Sequence, residues 1–297
     1  MPTRIAIVGV GLIGGSIGLA LRSRGLAEEV IGVGRRPASL DKAKERGAVD
    51  WTTTNLVSGV ETADFVVIAT PVDSIVDTVR AVAAAAPRAT ITDAGSTKAE
   101  ICRQLREPSP FDPQSEPGEP ASAGGYAASI ANRFIGSHPI AGDHRTGPEH
   151  ARAGLFEGRT VVVTPEDRTP PGLVERVKEF WESLGAEVAL LSPEEHDRAL
   201  AATSHLPHLI AAALAGSTPE EWLQLAGTGW GDTTRIAAGD PQLWTQIFTQ
   251  NRAAVLDALR RFEHRLAAFD EAIGSGDVAA LTLELQEAKR IRDALGD

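Results

Sequence analysis

Residues 9–16, GVGLIGGS, narrow the possible folds more than any other part of the 297-residue chain. They follow an apolar run, RIAIVGV at 4–10, and open a helical pattern over 12–24. Gly9, Gly11 and Gly14 stand at G-x-G-x-x-G spacing, where each glycine has a mechanical task. One makes a tight turn, one lets backbone approach a pyrophosphate, and one lets the helix pack closely on the strand. Leu12 and Ile13 begin that helix, whose free N–H groups and positive dipole end favour phosphate. A tight turn without a ligand is the competing reading of the same glycines.

The context strengthens the dinucleotide reading. Short apolar runs at 30–33, 64–70 and 89–95 alternate with helical patterns at 38–46 and 73–86, which predicts a parallel sheet with crossover helices. Residues 107–131 are rich in Pro, Ser, Gly and Ala without a period and are expected to form a surface insertion. Strand-like runs resume at 133–137 and 159–165, followed by a helix that Gly185 closes and a last strand in AEVALLS. From Ser192 onward the pattern is helical. Ser192, Pro193 and Glu195 form a capping box at the start of a helix expected to run to Gly216, with a kink at Pro207. The fold class is α/β: an N-terminal Rossmann-type, mostly parallel sheet over 1–185, carrying the insertion 107–131, and an all-helical domain over 186–297.

A net charge of −11 opposes a nucleic-acid or anionic-membrane partner, which needs a basic face. Cys102 is the sole cysteine, so an intrachain disulfide and a Cys-rich metal site are excluded, and a cytoplasmic location is expected. The N-terminal glycines are too regular for a signal peptide, and an uninterrupted apolar run of membrane-spanning length is missing.

Polar residues mark the remaining site. After the second strand, where a carboxylate would bind a ribose 2′-hydroxyl, GVGRRP supplies Arg35 and Arg36 instead. Guanidinium groups bind a 2′-phosphate, so NADP is favoured over NAD, unless both arginines simply face solvent. DAGSTK, with Asp93 on the cofactor side and Ser96 beyond it, ends a strand at the carboxyl edge of the sheet. SHPIAG brings His138 to the same edge, and SHLPH puts His205 and His208 on one helix face. GTGWGDTTRIAAGDPQLW groups Asp232 and Arg235 with Trp230 and Trp244, a setting suited to a carboxylate.

In their order, GVGLIGGS, TDAGSTK, HPIAGDHRTG, TSHLPH and DTTRIAAGDPQLW resemble the prephenate/arogenate dehydrogenase family of tyrosine biosynthesis over nearly the whole chain. The resemblance implies a homodimer built through the helical domain and oxidative decarboxylation of a cyclohexadienol. His138 is then the acceptor of the ring-hydroxyl proton, with Ser96 supporting it. His205 and His208 line the substrate pocket with Trp244, Arg235 binds a substrate carboxylate beside Asp232, and Thr70 and Pro71 pack near the cofactor. Gly231 stands where many relatives carry a basic residue, which leaves arogenate open beside prephenate. An appended mutase or regulatory domain is not expected.

Other readings are weaker. β-Hydroxyacid dehydrogenases and imine reductases share the layout but depend on a lysine or aspartate where this chain has histidines and an arginine. A silent dinucleotide sensor would not need Ser96, His138 and Arg235 together. A metal site at His138, His144 and His150 fits no common ligand spacing. His144, His150, His196 and His264 are expected at the surface, and Trp51, Trp181 and Trp222 in packing roles.

Overall fold

The computed structural model describes residues 3–107, 130–142 and 145–296. Most of the expected insertion at 107–131, and His144, lie outside the described residues.

Eight strands form one sheet in the order β3-β2-β1-β4-β5-β6-β7-β8. They are β1 (Arg4–Val8), β2 (Glu29–Val33), β3 (Trp51–Thr53), β4 (Phe65–Ile68), β5 (Thr90–Asp93), β6 (Phe134–Pro139), β7 (Thr160–Thr164) and β8 (Glu187–Leu190). Among the described residues, only the β6–β7 pairing is antiparallel. The helices of this part are α1 (Leu12–Ser23), α2 (Pro37–Glu45), α3 (Leu56–Val60), α4 (Ile75–Ala85), α5 (Ala99–Arg106) and α6 (Pro171–Ser183). β8 pairs with β7, so the sheet extends to Leu190, past the 185 limit read from the sequence. β3 and α3 escaped sequence reading because three and five residues are too short to display a period.

Both faces of the sheet are covered, which explains why its inner strands read as continuous apolar runs rather than alternations. Ile5, Ile7, Phe65 and Val67 point into one core with α1 and α6, around Phe180 and Trp181. Ala6, Val8, Val66 and Ile68 point into the other with α4 and α5. The strand order runs one way from β1 to β3 and the other way from β1 to β4. The carboxyl ends of β1 and β4 therefore flank the crevice in which open α/β sheets bind ligands.

Beyond β8 the chain is helical: α7 (Pro193–Leu200), α8 (Leu206–Ser217), α9 (Thr228–Thr234), α10 (Pro241–Gln250), α11 (Arg252–Ser275) and α12 (Val278–Asp293). The capping box at Ser192 is present in full, with Ser192 and Glu195 serving each other's backbone. Pro207 does not produce a simple kink. Residues 201–205 form a π-helical turn, and Pro207 then sits in the first turn of α8, where its missing N–H is not needed. Pro193–Ser217 is long and apolar enough to cross a membrane by length and composition alone. His196, Asp197 and His205 on that run are instead buried inside the protein.

The helical part has little core of its own. Ala201, Val255 and Ala258 form its buried cluster, while Leu266, Ile273, Leu283, Leu285 and Ile291 stand exposed on α11 and α12.

Candidate active site

The glycine loop connects β1 to α1. Gly9 adopts φ +100°, and a Cβ there would lie 2.4 Å from the carbonyl oxygen of Ala69, so the loop leans on the turn after β4. A Cβ on Gly14 would come within 1.9 Å of the Gly9 carbonyl oxygen, which ties the helix to the loop. Gly11 is different. It is the N-cap of α1, has no side-chain cap, and a Cβ there would meet nothing within 4 Å. The fold itself makes no use of that space. An uncapped helix N-terminus beside open room fits a pyrophosphate. Thr70, next to Ala69 in the turn after β4, adds a buried hydroxyl without a hydrogen-bond partner among the described residues, and Pro71 follows at the surface. Leu12 is buried and Ile13 half-buried in the first turn of α1. Arg35 and Arg36 are exposed at the end of β2, with Arg36 at the N-cap of α2.

Asp93 closes β5 and is fully buried. Its carboxylate accepts the N–H of Gly95 at 2.8 Å and of Ser137 at 3.1 Å, and it pairs with the buried ammonium of Lys98. That carboxylate is spent on internal partners, so Asp93 braces the loop from beneath rather than offering its oxygens to a cofactor. Ser137 completes the brace. Its hydroxyl donates to the Asp93 carbonyl oxygen at 2.6 Å and receives the indole N–H of Trp181 at 2.9 Å.

One residue on, His138 lies at the carboxyl end of β6, half-buried. Its Nδ1 is 2.9 Å from Nε2 of His196. His196 was expected at the surface and is fully buried, because the capping box phases α7 so that His196 and Asp197 face the sheet. His196 Nδ1 lies 2.7 Å from Asp197 Oδ1. The two Asp197 oxygens also accept the N–H groups of Lys98 and Ala99, at 2.8 and 2.9 Å, so the carboxylate caps α5 from across the domain boundary. Burial, followed by the neighbouring His196, Lys98 and His205, holds the His138 imidazole well below the ordinary histidine range. It is neutral at physiological pH, as a proton acceptor must be.

His205 ends the π turn, close enough to His138 to affect its charge, and His208 follows in the first turn of α8. His205 is buried, and burial pushes its pKa down to about 4. Asn251, between α10 and α11, spans His205 Nδ1 at 3.1 Å and the Asp197 carbonyl oxygen at 2.7 Å. His208 stacks on Trp244, with ring centroids 3.4 Å apart and planes 17° off parallel. Gly239 makes that stack possible, since a Cβ there would meet Trp244 at 2.6 Å and His208 at 2.9 Å.

The remaining predicted residues are less tightly engaged. Ser96 is half-buried in the β5–α5 loop, and the partner of His138 Nδ1 is His196 rather than Ser96. Asp232 on α9 and Arg235 just after it are exposed in the single chain. Trp222, expected in a packing role, is 60% exposed in the single chain, on a short 3-10 turn. Trp230 donates to the Thr218 hydroxyl at 3.1 Å. His150 is half-buried, and His264 is exposed as expected.

A family model described as the nucleotide-binding domain of prephenate dehydrogenase matches residues 17–132 and 121–190. A second, described as the prephenate dehydrogenase dimerization domain, matches 192–287. The chain belongs to the prephenate dehydrogenase family. It is 30% identical to the prephenate dehydrogenase of Bacillus subtilis over 99% of its own length and 76% of that protein's. The crystal structure of prephenate dehydrogenase from A. aeolicus with hydroxyphenyl propionate and NAD+ superposes with a TM-score of 0.86, at 32% identity over 99% of this chain and 98% of that one. The arogenate dehydrogenase of Synechocystis gives a TM-score of 0.78 at 30% identity, over 99% and 100% of the two chains. Members of the prephenate dehydrogenase family are NAD(P)-dependent oxidoreductases, which agrees with the glycine loop and turns the site away from the hydroxyacid and imine alternatives.

Proposed function

We propose that this chain is a prephenate dehydrogenase of tyrosine biosynthesis, converting prephenate to 4-hydroxyphenylpyruvate and carbon dioxide in the cytoplasm, as a homodimer. His138 at the carboxyl end of β6, hydrogen-bonded through Nδ1 to the buried His196 in a chain of this family, is the observation that carries the reading. Bound NAD(P) supplies the hydride acceptor. Nε2 of His138 takes the proton of the ring hydroxyl as the carbinol carbon loses its hydride, and loss of the ring carboxylate as carbon dioxide makes the ring aromatic. His205, His208 and Trp244 wall the ring, and Ser96 supports the hydroxyl side. Arg235, with Asp232 beside it, binds the substrate carboxylate that remains. Gly9, Gly11, Leu12, Ile13, Gly14, Thr70 and Pro71 hold the dinucleotide. Arg35 and Arg36, exposed where a ribose 2′-substituent would emerge, favour NADP over NAD.

Arogenate is the second reading, favoured by Gly231. The Asp232–Arg235 region then carries one cation where a dicarboxylate invites two, and a zwitterionic amino-acid side chain needs only one. Absorbance of the reduced nicotinamide, followed with prephenate or arogenate and with NADP or NAD, tests all of this. Turnover with prephenate supports the main reading and turnover confined to arogenate supports the second. Inactivity with both overturns each of them. Replacing Arg35 and Arg36 with alanine is expected to penalise NADP more than NAD, and equal loss removes the 2′-phosphate assignment.

A further inference from the structure

We propose that His138 and His205 are held in opposite tautomers: His196 acts as a positioning residue that leaves His138 bare at Nε2, and Asn251 as one that leaves His205 protonated at Nε2. The role given to His138 above lends this its functional meaning, but the tautomers themselves follow from the hydrogen-bond geometry of three neutral rings.

Asp197 is the origin of the first chain. Both of its oxygens already accept backbone N–H groups, from Lys98 and Ala99, so it acts as an acceptor toward its other neighbours. His196 Nδ1, 2.7 Å from Oδ1, must therefore carry a hydrogen. In a neutral ring that leaves His196 Nε2 bare, facing His138 Nδ1 at 2.9 Å. One hydrogen is needed between these two nitrogens, and His138 Nδ1 supplies it. His138 Nε2 is then a lone pair, which is the form required of a base.

The second chain begins from a backbone carbonyl. The Asp197 carbonyl oxygen can only accept, so the end of Asn251 that lies 2.7 Å from it is the NH2 group. The other hydrogen of that NH2 points to His205 Nδ1 at 3.1 Å, which must be bare. A neutral His205 then has its hydrogen on Nε2 and is a donor. Asp197 thus sets the first ring through its carboxylate and the second through its carbonyl. With both histidines lining the substrate pocket, as the function proposed above has it, they would present one acceptor nitrogen and one donor nitrogen, a pair that recognises a hydroxyl beside a lone-pair oxygen and discriminates against two like groups.

Long-range 15N–1H correlation spectra of the full chain, labelled with 15N-histidine, read the tautomers directly, with His138→Asn and His205→Asn assigning the signals. Nδ1–H for His138 and Nε2–H for His205 are expected. His196→Ala should move His138 toward the Nε2–H form and lower kcat by about 10- to 100-fold, a tautomer shift rather than the full inversion that costs about 10,000-fold in a serine protease. Cofactor affinity should stay within about twofold. His196→Gln, whose carbonyl can accept from His138 Nδ1–H, should keep the wild-type tautomer and recover part of the rate. Nε2–H at His138 in the wild-type protein, a doubly protonated His196 at neutral pH, or an unchanged His138 spectrum in His196→Ala overturns the proposal. The wild-type spectrum decides even if the alanine variant does not fold. Should the protein turn over neither prephenate nor arogenate while showing both expected tautomers, the function fails and the tautomer assignment stands.

Discussion

His138 has two neighbours in its own class, His196 and His205, and both make its protonation harder. A base must be deprotonated to work, so it is active above its own pKa and lost as pH falls through it. An ordinary histidine would lose half its activity near pH 6.5. With its pKa held well below that, His138 should keep kcat flat as pH is lowered through 6.5, the decline appearing only at more acid pH. A kcat profile at saturating substrate and cofactor checks this, and a half-maximal point at 6.5 or above contradicts it. His138→Asn is expected to lower kcat by about 100-fold or more, with cofactor affinity near normal by direct titration. The glycines separate fold from ligand at the same scale. Gly14→Ala forces a Cβ against the Gly9 carbonyl oxygen and is expected to destabilise the protein by about 1–3 kcal/mol. Gly11→Ala meets empty space and should cost within about 1 kcal/mol in a melting experiment, yet weaken cofactor binding by roughly 10-fold or more, because the added methyl occupies the room left for pyrophosphate.

At the level of the element, the π turn at 201–205 decides which side chain faces the sheet. Buried residues on α7 fall at Pro193, His196, Asp197 and Leu200. Continuing a regular α-helix would bring residue 204 into line next, whereas the π turn inserts one residue and brings His205 there, followed by His208 and Ala211. Ser204 would otherwise take the place of His205 beside Asn251. Pro207 supports the irregular turn because it cannot donate an α-helical hydrogen bond back into it. Pro207→Ala is expected to let the segment relax toward regular helix and reduce kcat/KM by about 10-fold, with cofactor affinity within about twofold. Unchanged kcat/KM would show that the turn holds without proline.

For the whole molecule, the contrast between the two halves is one of core. The sheet buries two large apolar clusters, whereas the helical part buries three residues in its own and leaves long apolar faces on α11 and α12 in solvent. Apolar faces of that extent on an otherwise ordered helical domain call for a partner surface, and a second copy supplies it. Sedimentation should find a dimer, and Leu283→Glu with Ile291→Glu should shift it toward monomer and lower thermal stability. A monomeric wild-type protein would overturn the homodimer. The local grammar of the chain was sufficient for much of this: strand, glycine loop and helix at residues 4–24, the capping box at Ser192, and His138 at a strand end are written in adjacent residues, where periodicity and turn chemistry act. His196, Asp197, Lys98 and Asn251 carry no such mark. They come together from α7, the start of α5 and the α10–α11 junction, so only tertiary packing could make a buried histidine of one that looks solvent-facing in a charged helix, or turn Asp93 from a cofactor ligand into a brace. The sequence determined where strands end and helices begin because those choices are local. Which polar side chains share a desolvated site, and therefore which protons they hold, depended on the approach of distant segments.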